Sequence, residues 1–118
     1  MKYLLLIYEN EKAWEAMPEE EQERILAEYG AFTQDIARSG TYVTGEPLQP
    51  TSTATTVRVR DGQPLCTDGP FAETREQLGG FYLVEAADLD QAVAVAARVP
   101  SARWGSIEVR PVMVLPEA

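Results

Sequence analysis

The sequence contains no histidine and a single cysteine, Cys66. The first absence removes the imidazole base, so neither a Ser–His–Asp nor a Cys–His arrangement can be assembled. Together the two leave zinc without the ligands it favours, and neither a metal nor a cofactor is expected. One cysteine makes no internal disulfide, which fits a reducing compartment. Long hydrophobic runs are missing too. A membrane-spanning helix needs about 20 consecutive apolar residues, whereas the apolar stretch within Met1–Tyr8 soon meets Glu9, Asn10 and Glu11. No small-residue cleavage site follows it, so the protein is expected to be cytoplasmic and off the membrane. Positive charge is scarce: ten Lys and Arg stand against nineteen Asp and Glu, a net charge of −9. Nucleic-acid binders carry a basic footprint, so duplex DNA or RNA is not an expected direct partner. Carboxylate, tyrosine, lysine and arginine chemistry is what remains for proton transfer.

At 118 residues the chain is the size of one domain, and it shows no internal repeat or domain boundary. Lys2 to Tyr8 is apolar at successive positions and reads as a strand buried on both faces. Glu9 to Ala16 is polar, with helical character around Trp14. Seven glutamates between Glu9 and Glu23 face only Lys12, the pattern of a solvated helix face. Pro18 opens a long helix, with Glu19, Glu20 and Glu21 at the positive end of its dipole. Ile25, Tyr29, Phe32 and Ile36 recur at helical spacing, Leu26 and Ala37 broaden the stripe, and Gly40 caps the end.

Strand patterns follow at Thr41–Leu48, at Thr53–Arg60 and, after an Asp61-Gly62 turn, through Leu65 to Thr67. Gly80 to Glu85 is again apolar on both faces. Asp88 and Gln91 nearly form a capping box for a helix whose inward residues read as Leu89, Ala92, Val93, Ala96 and Ala97, with Pro100 ending it. Ser106 to Leu115 is the last strand, Ile107 and Val109 alternating with Glu108 and Arg110. This order is α+β: a ferredoxin-like β-α-β-β-α-β plan with an inserted hairpin. Two helices cover one face of such a sheet. The strands apolar on both faces therefore call for a second copy, and a homodimer is expected.

The most distinctive stretch runs from Thr67 to Gly80. It holds Asp68-Gly69-Pro70-Phe71-Ala72-Glu73-Thr74-Arg75-Glu76 and is more than twice the length of an ordinary connection. Those nine residues resemble the signature of the DGPF, or YCII-related, family. Gly45-Glu46-Pro47-Leu48, Thr55-Thr56-Val57-Arg58, Glu76-Gln77-Leu78-Gly79-Gly80-Phe81-Tyr82-Leu83 and Glu108-Val109-Arg110-Pro111 also match its pattern. The resemblance implies a dimeric α+β barrel with sheets packed face to face. It further implies either a small-molecule site between sheet and helices, catalytic or not, or a regulatory module that contacts an extracytoplasmic-function sigma factor.

Candidate site residues follow from the loop and from the resemblance. Asp68 is a general base or ligand contact on one reading, and an Asx-turn or N-cap carboxylate on the other. Phe71 reads as an anchor pinning the loop to the core or as a ligand platform. Gly69 is placed with it as a ligand contact, and Glu73, Arg75 and Glu76 read either as the charged rim of a cleft or as solvated loop charges. Relatives that the chain resembles carry a histidine near position 29, paired with an aspartate in a catalytic dyad, and Tyr29 stands there instead. The residue pattern alone places Tyr29 in the core. Arg58, on the polar face of its strand, is the candidate contact for a small anionic or polar ligand, or else the ion-pair partner of Glu46 or Glu108. Cys66, without a histidine beside it, reads as a small buried hydrophobe.

Overall fold

The computed structural model describes residues 1–116 and has the expected α+β class. Its strands are β1 (Lys2–Glu9), β2 (Tyr42–Pro47), β3 (Thr55–Arg60), β4 (Gln63–Asp68), β5 (Gln77–Glu85) and β6 (Ser106–Pro111). Its helices are α1 (Glu11–Glu15), α2 (Glu19–Arg38) and α3 (Leu89–Ala96), with 3-10 turns at Thr51–Thr53 and Pro100–Arg103. The main sheet runs β2-β5-β1-β6, every neighbouring pair antiparallel, while among the described residues β3 and β4 pair only with each other. Without the hairpin, this is the ferredoxin-like arrangement.

The central strands are apolar throughout, so both faces of the sheet are apolar at its middle. Tyr3, Leu5 and Ile7 of β1 and Tyr82 and Val84 of β5 are buried beneath the helices. Leu4, Leu6, Tyr8, Phe81 and Leu83 lie on the opposite face and are half-buried. From α2 come Ile25, Phe32 and Ile36, three of the four residues at helical spacing. Phe32 meets the Tyr82 ring edge-on at 5.3 Å. Leu5, Ile36, Val84 and Val99 are fully buried and mark the centre of the core.

Local signals set most element ends. Pro18 takes the N-cap of α2, and Gly40 follows the Ser39 C-cap at φ +78°, left-handed backbone that glycine adopts without strain. Asp61 and Gly62, at φ 52° and 74°, form the tight turn of the β3–β4 hairpin. The Asp88 carboxylate accepts from Gln91 N at 2.9 Å, and the Gln91 amide oxygen accepts from Ala87 N at 2.5 Å.

Four sequence expectations are corrected by the fold. β5 begins at Gln77 rather than Gly80, because a bulge at Ile7/Tyr8 lets Leu78 pair with Tyr8 and Gln77 with Glu9. β6 ends at Pro111, and Val112 to Leu115 run on outside any strand. The inward face of α3 is Ala92, Val95 and Ala96, while Leu89 and Val93 are about half exposed. Two turns of helix reach the sheet through one i, i+3, i+4 set, and that set includes Val95 instead of Val93. Cys66 is exposed, not buried, because the hairpin that carries it stands apart from the core. Among the described residues no helix is long and apolar enough to cross a membrane.

Candidate functional site

A cavity of about 530 Å³ opens between α1, α2 and the β2–β5 edge of the sheet. Its α1 wall is built by local hydrogen bonds. Asn10 Oδ1 caps the helix by accepting from Lys12 N at 3.0 Å and Ala13 N at 3.3 Å. Gln77 Oε1 accepts from Glu11 N at 3.0 Å, and Gln22 Nε2 donates to Trp14 O at 2.7 Å. The Glu11 carboxylate accepts from Thr51 N and Thr51 Oγ1, both at 2.7 Å. An element of five residues has no stability of its own. These bonds hold it beside β5 and α2, with Trp14 among the cavity-lining residues.

The opposite wall is aromatic. Tyr29 and Thr33 lie one helical turn apart on α2, and Tyr42 and Tyr82 come from adjacent strands with ring centroids 6.2 Å apart. Thr33 Oγ1 donates to Tyr29 O at 2.9 Å and shares a 2.6 Å hydrogen bond with the Tyr82 hydroxyl. Tyr29 Oη shares a 2.5 Å bond with Ser101 Oγ. Burial pushes the Tyr29 phenol up to about 12; the Ser101 hydrogen bond opposes that shift and the Glu9 charge adds to it. Burial also raises Tyr82, against the pull of its Thr33 hydrogen bond.

Glu9 closes the β1 end. Its Oε2 accepts from Trp104 Nε1 at 2.8 Å and from Ser101 Oγ at 3.3 Å. The turn bearing Ser101 and Trp104 comes this close because Gly105 carries no side chain. A Cβ there would stand 2.2 Å from Tyr8 O and 3.1 Å from Glu9 Cβ. Glu9, Glu11, Glu15 and Glu46 all line the cavity, and among the described residues no lysine or arginine lines it. The site is thus an apolar, aromatic recess with an acidic rim. Among the described residues no three His, Cys, Asp or Glu side chains converge as a metal would require.

Of the residues singled out in the sequence, Tyr29 lines this cavity and Arg58, Asp68, Gly69, Phe71, Glu73 and Arg75 do not. Arg58 is exposed on β3 and makes no ion pair with Glu46 or Glu108. Asp68 is exposed at the end of β4, where the backbone supplies the turn. Gly69, at φ +98°, donates to Ala54 O at 2.7 Å and accepts from Thr56 Oγ1 at 2.8 Å. Phe71 is 77% exposed and does not pin the loop to the core. Glu73 and Arg75 are exposed beside it. The loop is tied instead by Thr74 Oγ1 to Glu76 O, Gln77 Nε2 to Thr74 O and Ser106 Oγ to the Glu76 carboxylate.

Sequence reasoning missed Glu9, Glu11, Trp14, Thr33 and Ser101. Glu9 carried a signal, since it is the first charged residue after a strand apolar on both faces. Ser101 carried none, because its role depends on three elements distant in the chain.

Residues 1–116 match the family model described as YCII-related domain. The chain is 40% identical over 113 residues to an uncharacterized protein of Rhizobium meliloti (strain 1021), a match spanning 94% of this chain and 91% of that protein.

Proposed function

The chain belongs to the YCII-related domain family, and from its own cavity we propose that it is a homodimer binding a small, mostly apolar molecule between sheet and helices. The observation that carries this reading is the 530 Å³ recess lined by Ile7, Trp14, Tyr29, Tyr42 and Tyr82. Its size and its apolar walls with few polar groups are those of small-molecule sites. The acidic rim without a lining cation favours neutral or cationic molecules over the anionic ligand that Arg58 suggested. Aromatic faces and carboxylates suit an amine or a hydroxyl donor.

Surface area supports the dimer. A compact monomer of 13.0 kDa exposes about 6,300 Å², whereas this chain exposes 8446 Å². The excess of about 2,100 Å² per chain is in the range that obligate homodimers bury. The exposed Val57, Val59 and Leu65 of the hairpin belong to that excess, and the half-buried Leu4, Leu6 and Leu83 leave the open sheet face partly uncovered.

Fluorescence titration tests the cavity. N-phenylnaphthylamine, neutral and apolar, is expected to bind, and anilinonaphthalene sulfonate to bind at least about tenfold more weakly because the rim repels it. Leu26 lines the mouth but is 59% exposed. Leu26→Trp is therefore expected to block the neutral probe without lowering the melting temperature. Preferential binding of the anion, or binding indifferent to Leu26→Trp, contradicts the reading. Should neither probe bind, the open sheet face and hairpin support a second reading, a regulatory module docking a protein such as an extracytoplasmic-function sigma factor.

A further inference from the structure

The three hydrogen bonds around Ser101 can all be made at once in only one direction. A carboxylate accepts and never donates, so Trp104 Nε1–H and Ser101 Oγ–H both give their protons to Glu9 Oε2. Ser101 has a single hydroxyl proton. The 2.5 Å bond between Ser101 Oγ and Tyr29 Oη is therefore donated by Tyr29. The result is a one-way relay from Tyr29 through the fully buried Ser101 to Glu9. The other carboxylate oxygen, Oε1, accepts no hydrogen bond from a described residue. It lies on the side of Gly79, 3.8 Å from where a Cβ would stand, and both residues line the cavity. One oxygen of Glu9 is thus clamped by two donors while the other is free, the arrangement of an oriented general base.

We propose that the cavity is a proton-transfer site in which Glu9 is the catalytic carboxylate, Ser101 and Trp104 are positioning residues, and Tyr29 extends the relay to the cavity wall. This rests on the reading of the cavity as a small-molecule site. The substrates are small apolar molecules with an acidic C–H bond beside a carbonyl, nitro or C=N group. In the step, the C–H bond breaks and an O–H bond forms on Glu9 Oε1. The electron pair stays on the substrate and delocalises into the neighbouring group, and Glu9 becomes neutral. The carboxylic acid then returns the proton to the same molecule at another atom or to water, so no oxidant or reductant is involved. Tyr29 keeps its proton up to about 12 and so remains a donor through neutral pH. The titratable groups that line the cavity together with Glu9 are Glu11 and Glu15 of α1, Tyr29 of α2, Tyr42 and Glu46 of β2 and Tyr82 of β5. Behind the clamp, Arg103 lies over Trp104, its guanidinium 5.1 Å from the ring centroid, and pairs with Glu28.

The test uses nitrobenzisoxazole, whose elimination reports any positioned base in an apolar site. The base removes the ring C–H proton, that electron pair forms the nitrile, and the N–O bond breaks to leave a coloured phenolate. The purified full chain is expected to accelerate this at least about 100-fold over acetate at equal concentration. Glu9→Gln is expected to abolish the acceleration. Ser101→Ala is expected to lower kcat about tenfold at unchanged KM, and Ser101→Thr, which keeps the hydroxyl, to recover most of the rate, a rescue that a purely structural role would not give. Where Glu9→Gln fails to fold, Glu9→Asp serves instead, and its shorter reach is expected to cost at least tenfold in kcat. A rate no greater than acetate, or one that survives Glu9→Gln or Glu9→Asp, overturns the proposal. N-phenylnaphthylamine binding in the same samples separates the two readings. Binding without proton transfer defeats this inference alone, and absence of binding defeats the cavity reading beneath it.

Discussion

Tyr29 shows at the scale of one residue how environment changes what a side chain offers. On helical spacing alone it belongs to a buried stripe with Ile25, Phe32 and Ile36. In the fold its ring borders the core while its hydroxyl meets Ser101. Its phenol is pushed from the ordinary 10.0 up to about 12, burial being the main cause. The sign of the linkage follows directly. Below pH 10 the folded and unfolded chains both keep this proton, and its contribution to stability is constant. Between about pH 10 and about 12 the unfolded chain releases a proton that the folded chain retains, so stability falls as pH rises. Thermal unfolding measured across that window is expected to show a steep decline in Tm, shallower in Tyr29→Phe. The raised Tyr82 leaves part of the slope in place. A slope identical in the variant would show that Tyr29 is not held in this way.

At the scale of elements, the site depends on close approaches that short segments make to the sheet. The turn at Pro100–Arg103 reaches β1 only because Gly105 has no Cβ, and the atom that one would strike is the backbone oxygen of Tyr8. A side-chain tip can rotate away, but that carbonyl lies in a strand paired on both sides. Gly105→Ala is therefore expected to destabilise the protein by roughly 2–4 kcal/mol, measured by urea unfolding. It should also pull Ser101 and Trp104 off Glu9. A variant within about 0.5 kcal/mol of the parent would mean the turn is free to shift. The hairpin of β3 and β4 is the contrary case, since its residues are mostly exposed and two strands alone are marginal in water.

The whole molecule is flattened, 49 × 48 × 19 Å, with a radius of gyration of 16.4 Å, where a compact chain of this length has about 13.5 Å. Leu5 and Leu83 read alike in the sequence, each central in an apolar strand, yet they serve opposite faces. Leu5 is fully buried under the helices, and Leu83 lies across from Leu4 on the open face. Leu83→Glu is expected to yield a folded monomer by light scattering and circular dichroism, because it puts a charge where the second sheet would pack. A dimer undisturbed by Leu83→Glu would place the interface elsewhere.

The class of fold and the order of its elements were determined by the sequence itself, because local chemistry dictates them. Pro18, Gly40, Asp61-Gly62 and Asp88 set where helices and turns begin or end, and the apolar runs at Lys2–Tyr8 and Gly80–Glu85 single out the central strands. The family was legible in the nine residues from Asp68 to Glu76, and the comparisons bear that out. The location of the cavity was not legible. Of the residues proposed from sequence only Tyr29 lines it, and its partners Ser101 and Glu9 lie 72 residues beyond Tyr29 and 92 residues before Ser101 in the chain. A hydrogen bond across such separations has no periodicity or spacing to betray it. It exists only once β1, α2 and the turn before β6 have packed together, and tertiary structure alone decides which polar groups then meet.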